Sequence, residues 1–454
     1  MTANPPLRVH PIIALVLCCA GLLAPGLSAA TEWYAKPSVS LKLQHDDNLL
    51  LTTAPHQGVT GFTVAPHLDF GAQQANWDIN GSAELRGHRY WGQTGLNGND
   101  QVYNLSSLYR TPRSTWQLGG GYAKESVTAN STFSPDIGLV STQTQRITRT
   151  VTPSWTWQMT ERAQLELSYQ SSLVSYQNIP STDLIDYDSR DGTATLLYQW
   201  SPRDQLTAQI DRSYFKMPQL GPSQLGQPAY AAEIGGKLSL LPNPQLQSNT
   251  STTDSFTLGW SHSFSENLSA NLAVGTRSTD SEAVVQTCTA STPPAIYYIN
   301  GQFVGIGTCT QTANTVYPET SSGYLYNAGL TKQFELTQVT LSLGRQVSPG
   351  GTGTQILVNT ENLGISHQVS ARLSSALSLT GYQIRAASSN VLPFTNRNYI
   401  ETAASLSWKW TRQLTIQGGY QYIRQEFLNT SDMAHDNTVY LNLSYAWNKL
   451  SISR

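Results

Sequence analysis

The sequence predicts an all-β fold: a transmembrane, antiparallel up-and-down β-barrel of about eighteen strands, sixteen being the other count that fits an even-stranded barrel. Three observations predict it. Apolar and polar residues alternate with period two along most of the chain, which sends the two sets to opposite faces of a sheet. After residue 30 no apolar run approaches the ~18 residues a spanning helix needs, so any membrane crossing must be made by strands. The connections alternate between very short polar turns and long segments rich in Gly, Pro, Ser and Asn.

The first thirty residues stand apart. Arg8 precedes an apolar run from Ile12 to Ala24, and Ser28 and Ala30 occupy the −3 and −1 positions of a cleavage site. This reads as a signal peptide over residues 1–30, leaving residues 31–454 as one barrel domain. Cys18 and Cys19 leave with the signal, and Leu17 does not suit a lipoprotein motif.

In the mature chain Phe62, Val64, Pro66, Leu68 and Phe70 alternate with Thr63, Ala65, His67 and Asp69. The same pattern returns at Trp77–Arg86, Leu165–Gln170 and Val439–Trp447. Short turns are expected near residues 71–76, 111–115, 160–162, 201–204, 265–267, 335–338, 371–375 and 411–412. Aromatic residues sit beside several of them, as at Trp157, Trp200, Phe264, Phe334 and Trp410, the placement of an interfacial girdle. Eight short turns and nine long connections make seventeen joins, hence eighteen strands with both ends on the short-turn, periplasmic side. The strand between Ala376 and Ala387 has no clearly apolar face. The longest connections are read as loops, from Met217 to Thr250 and from Thr279 to Pro318. A soluble propeller or stacked sandwiches would also supply many strands, but no blade-length repeat occurs.

Composition narrows the function. Of 454 residues only 12% are charged, 27 Lys+Arg against 29 Asp+Glu, while Trp and Tyr number 11 and 22. A balanced, sparse charge excludes a basic nucleic-acid binder, and the aromatic content argues against disorder. Neither G-x-S-x-G nor H-E-x-x-H occurs and the histidines are scattered, so no enzyme, cofactor or metal site is expected. The acidic groups His45-Asp46-Asp47-Asn48 and Asp186, Asp188, Asp191 fall at strand ends, where Asp and Asn form turns. Cys288 and Cys309 are expected to pair as a loop disulfide, with a loop of about twenty residues contributing about 3 kcal/mol.

With the apolar set facing lipid, the lumen receives mostly neutral hydrogen-bonders, among them Gln44, Asn80, Gln170, Gln209, Asn327 and Gln421. Lys42, Glu84, Arg86 and Glu166 are the expected pore-lining charges, with a role in permeation selectivity and none in chemistry.

The opening of the mature chain carries a resemblance. Pro37-Ser38-Val39-Ser40, Asp46-Asp47-Asn48, Leu51-Thr52 and Val64-Ala65-Pro66-His67-Leu68, followed by His88-Arg89-Tyr90-Trp91, resemble the start of outer-membrane β-barrel porins encoded with exopolysaccharide or exosortase (PEP-CTERM) systems of Gram-negative bacteria. The resemblance implies an outer-membrane location, a pore or conduit for exopolysaccharide export or surface assembly, and no catalytic residues. Its implied partners are outer-membrane lipid and lipopolysaccharide, polysaccharide, periplasmic export components and the barrel assembly machinery. The other reading is a plugged barrel serving as a structural or adhesive surface scaffold. The closing aromatics Tyr445 and Trp447 fit an assembly signal, although NKLSISR follows them.

Overall fold

The computed structural model describes residues 31–453, apart from residues 54, 93, 128–143, 178–183, 219–227, 235–236, 241–244, 293–294, 300–301, 352, 388–395 and 429–430. The signal segment over residues 1–30 lies outside the described residues.

The first nine strands are β1 (Glu32–Asp46), β2 (Val59–Gln73), β3 (Trp77–Tyr90), β4 (Gly98–Arg110), β5 (Ser114–Val127), β6 (Thr144–Gln158), β7 (Ala163–Gln177), β8 (Tyr187–Ser201) and β9 (Asp204–Met217). Two short strands follow, β10 (Pro228–Ile234) and β11 (Lys237–Leu240), then the long β12 (Gln245–Ser265) and β13 (Leu268–Ser291). Next come the short β14 (Ala295–Ile299) and the longest strand, β15 (Gln302–Gln333). The chain finishes with β16 (Thr337–Pro349), β17 (Gln355–Gln368), β18 (Leu373–Ala386), β19 (Arg397–Lys409), β20 (Leu414–Phe427), β21 (Met433–Ala446) and β22 (Leu450–Ser453).

Setting aside β10, β11, β14 and β22 leaves eighteen wall strands, each antiparallel to its sequence neighbour in the wall. β1 pairs with both β21 and β22, so the sheet closes on itself. Closure leaves no unpaired edge in the wall, the condition for strands to live in lipid. All eight short turns lie at one end of the barrel, and the ambiguous stretch is β18.

Prolines mark where the ladders break, because they have no N–H to donate. Pro66 interrupts the β2–β3 register between Val64 and His67, and Pro153 interrupts β6–β7 between Val151 and Ser154. Pro37 does the same at the closing seam. β21 pairs with Ser38–Asp46, the chain steps away after Trp447, whose N–H donates to the Pro37 carbonyl at 3.0 Å, and β22 resumes pairing with Glu32–Ala35. The residues after the closing aromatics therefore complete the last strand.

The outward face is an apolar band. Leu41, Val64, Leu105, Leu118, Leu196 and Leu441 are all exposed, and residues of this kind recur around the whole circumference. Water cannot be the partner of a continuous belt of this size; hydrocarbon can. Trp pairs line its short-turn edge: Trp116–Trp155 at 5.5 Å, Trp155–Trp157 at 6.0 Å and Trp408–Trp410 at 5.6 Å. The fold is that of an outer-membrane β-barrel.

One expectation is corrected. Among the described residues, the segments read as loops from Met217 to Thr250 and from Thr279 to Pro318 are largely strand. β12, β13 and β15 continue past their neighbours, since β15 parts from β16 above Tyr326 yet stays paired with β13 as far as Cys309. The Thr- and Val-rich stretches here suit a pleated surface, and that preference prevails over the turn formers among them. β10 and β14 add to the far end of β15, and β11 to β10. Cys288 and Cys309 are bonded across this hairpin, with Cα atoms 5.9 Å apart.

Candidate functional site: the lumen and its mouth

Alternation places one residue in two on the inner wall, and the register shows which share a level. Glu84 faces His67 across β2–β3, and Arg86 faces Asp100 across β3–β4. Glu84 accepts from Arg86 and lies 3.2 Å from His67 Nδ1, whose Nε2 is 3.0 Å from Asp69. Arg86 also reaches Glu125 on β5 at 3.1 Å. Higher up, His88 Nε2 lies 2.8 Å from Asp100, which also accepts the Ser126 N–H at 2.8 Å. Four carboxylates, Asp69, Glu84, Asp100 and Glu125, thus share the one guanidinium of Arg86 and two imidazoles over β2–β5, which leaves this side of the lumen acidic on balance.

The other two expected lining residues stand apart. Lys42, on the same wall, places its ammonium 5.0 Å from the Tyr440 ring centre, a cation–π arrangement. Glu166 faces Thr156 and Thr195 on adjacent strands and, among the described residues, has no bonded partner. Glu84 and Arg86 are therefore brought together, and Lys42 and Glu166 are not.

In the short-turn half, the wall mixes uncharged hydrogen-bonders with opposed charges, Lys36 facing Asp69 and Arg110 paired with Asp78. A recess of about 510 Å³ is lined by Tyr34, Lys36, Asp69, Asn80, Asn104 and Gly119, among others. The Tyr34 hydroxyl donates to Asn80 Oδ1 at 2.6 Å. Two inward glycines deepen the wall here: a Cβ at Gly119 would stand 2.3 Å from the Thr152 hydroxyl. Amides, hydroxyls and one aromatic ring on a recessed floor suit a neutral, hydroxyl-rich solute.

The opposite, long-loop end departs from polar-inside patterning. Val174 and Tyr187 face each other on β7 and β8, and Phe215 and Met217 follow on β9, all on the inner wall and buried. They form one apolar cluster with Leu184, Ile185, Leu246 and Val285. A second, smaller set on β17 and β18 comprises Ile356, Val358 and Ile384.

What buries these side chains is loop. The β16–β17 connection turns inward, where the Ile185 N–H donates to the Gly351 carbonyl at 2.8 Å and Asn249 Nδ2 to the Gly353 carbonyl at 2.9 Å. Gln355 accepts from Thr253 at 2.8 Å and donates to Ser213 at 3.3 Å. These contacts reach from β17 to β12 and β9, across the intervening strands. Ala387, just after β18, lends its carbonyl to Ser321 at 2.9 Å and Arg277 at 3.3 Å. The β1–β2 connection forms a third strap. Leu51, 1% exposed and in the left-handed region at φ 49°, packs on Tyr399, Ile423 and Ala434. Asn48 ties it down by donating from its N–H to Asp436 at 2.8 Å and from Nδ2 to the His435 carbonyl at 3.0 Å. Asp47 accepts from the Asn437 N–H and amide at 2.7 and 2.6 Å. Burial pushes the Asp47 carboxyl up, but these hydrogen bonds outweigh it and hold the group below its ordinary range.

Of the acidic residues at the strand ends, Asp46 accepts from Thr438 at 2.7 Å and Asp186 from the Tyr176 N–H at 2.8 Å, while Asp188 and Asp191 lie within β8 and bond to Arg190 and Ser189. Sequence reasoning missed the straps. The available signal was the run of apolar residues at inward positions near the upper strand ends, which is also why β18 shows no clean apolar face.

No family model matches the sequence, and no curated protein matches it. Solved structures similar to the chain include the ferric-catecholate import receptor Fiu from E. coli K12 in its open form, 11% identical with a TM-score of 0.47, covering 91% of this chain and 81% of that one. OccAB3 from Acinetobacter baumannii is 10% identical with a TM-score of 0.42, covering 92% of this chain and 99% of that one. The outer membrane protein opdK from Pseudomonas aeruginosa is 9% identical with a TM-score of 0.42 and the same two coverages, 92% and 99%. None of the three is described in terms of exopolysaccharide.

Proposed function

We propose that this barrel is an outer-membrane channel for a neutral, hydroxyl-rich solute, with polysaccharide as the favoured cargo, held shut at its long-loop mouth by inward-folded straps. The observation that carries this reading is the contrast between the two ends of the lumen. The short-turn half is lined with hydrogen-bonding groups, and eighteen strands leave an aqueous bore unless something fills it. At the mouth, the filler is three loops held by a handful of hydrogen bonds and modest apolar clusters, rather than an independent plug domain among the described residues. Amides and hydroxyls on the recessed wall favour a hydroxyl-bearing solute, and the resemblance at the mature N-terminus adds the exopolysaccharide setting.

The test is planar-bilayer recording of the purified protein together with liposome swelling in neutral oligosaccharide and in a charged solute of equal size. Rare openings to a large conductance, with faster swelling in the neutral sugar, support the channel. The straps equally suit the other reading, a permanently closed surface scaffold. A correctly folded barrel that never conducts, even with its straps loosened, establishes that reading instead.

A further inference from the structure

The outward face above the apolar band is not uniform. On the upper halves of β3–β9 it carries Arg89, Lys124, Arg149, Arg190, Arg212 and Lys216, with Asp188 the one carboxylate among the described residues of that arc. The next arc, β12–β17, reverses the sign, with Asp254, Asp280, Glu282 and Glu361 against Arg345. Exposed Leu105, Leu118, Val151, Leu167, Leu196 and Ile210 lie below the basic arc, nearer the short turns, and fix the level of the hydrocarbon. The cations therefore stand where lipid headgroups begin on the long-loop side.

Within the arc the register makes a patch. Arg149 faces Leu173, Leu173 faces Asp188, and Asp188 faces Lys216, one row across four strands, with Arg190 two residues further along β8. At the ~4.8 Å spacing of strands the row spans about 14 Å. The Arg190 guanidinium lies 2.7 Å from Asp188 and 6.0 Å from the Tyr214 ring centre, so it is oriented by one acid and one ring while its outer edge stays exposed. Arg149 and Lys216 are exposed and bound to no acid among the described residues.

We propose that this patch binds a phosphorylated, multiply acylated glycolipid of the outer leaflet, the acyl chains lying on the β5–β9 band and the phosphates on Arg149, Arg190 and Lys216. Charge and depth both select this occupant. A soluble anion has no use for the apolar band beneath, and an uncharged lipid has none for three cations gathered around a single carboxylate. Arg–phosphate contacts are charge-assisted, and the headgroup region screens them less than bulk water does.

The test is native mass spectrometry of the folded, delipidated full chain in nonionic detergent, titrated with hexa-acylated bis-phosphorylated lipid A, its dephosphorylated form, and inorganic phosphate. Loss of the charge-assisted contacts predicts that the Arg149→Gln/Arg190→Gln/Lys216→Gln protein binds lipid A at least about tenfold more weakly. An Arg345→Gln/Arg385→Gln/Arg424→Gln protein, altered on the outward faces of β16, β18 and β20, should keep wild-type affinity, and dephosphorylation should cost as much as the first triple change. Lys216→Gln alone, with an expected loss of about threefold, serves if the triple variant does not fold. The proposal is overturned by a folded first variant that retains lipid A, by equal loss in both triple variants, or by inorganic phosphate displacing the lipid at millimolar concentration.

Discussion

Replacing Gly353 with Val should open the mouth. Gly353 sits in the inward strap with φ +87°, a conformation in which an L-residue with a branched Cβ is strained by about 1–2 kcal/mol. Its Cβ would also stand 2.5 Å from the Met217 sulfur and 3.2 Å from Ile185 Cδ1. Overpacking of this kind costs about 1–3 kcal/mol, and the flexible Met217 thioether keeps the figure near the lower end. The sum is at least about 2 kcal/mol, against about 4 kcal/mol for the strap's four hydrogen bonds at about 1 kcal/mol each. A shift of about 2 kcal/mol changes the closed-to-open ratio about thirtyfold. In planar bilayers the open probability of Gly353→Val should rise by that factor while the unitary conductance stays the same. Gly92 is the matched control: its φ is +74° and nothing lies within 4 Å of its would-be Cβ, so Gly92→Val carries strain without touching the strap. A folded Gly353→Val barrel that stays as silent as wild type refutes the assignment of this loop as the barrier.

Other outcomes follow from the same geometry. Arg86→Gln removes the cation between Glu84 and Glu125, so in the Gly353→Val background the reversal potential in a salt gradient should move toward cation selectivity; Glu84→Gln should move it the other way. Asp47, whose folded pKa lies below its unfolded value, strengthens the first strap fully above about pH 4 and loses that contribution as pH falls through the folded value. Amide exchange over residues 48–52 should accordingly accelerate below pH 4, and Asp47→Asn should exchange at pH 7 as the wild type does in acid. Reducing Cys288–Cys309 releases about 3 kcal/mol of loop constraint from the β13–β15 hairpin alone. Proteolysis between residues 288 and 309 should speed up, while the heat-modified gel shift of the barrel stays unchanged.

The wall was legible in the sequence because lipid imposes a strict rule on it. Every outward residue of β1–β9 at the level of the apolar band obeys a single solvent, so Phe62–Phe70 or Leu165–Tyr169 betray their strand and its face without knowledge of any neighbour. The mouth obeys no such rule. Whether Val174, Phe215 or Ile384 is acceptable on an inner wall depends on a loop arriving from many strands away, and nothing local to β7, β9 or β18 announces Gly351 or Leu51. The charged wall was half legible for the same reason. Period two put Glu84 and Arg86 on the inner face, but their pairing with His67 and Glu125 depends on the register between strands. Cys288 and Cys309 could be matched by counting; that they staple two strands rather than a loop could not.

The proline in the first strand has a consequence for how the cylinder holds together. It divides the weld between first and last strands into nine residue pairs above and four below. Those four, Glu32–Ala35 against Leu450–Ser453, can peel away and re-anneal as a separate cooperative unit without disturbing the nine. The periplasmic lip at this point is a latch, and its amides should be the first of any in the wall to trade their protons for deuterium.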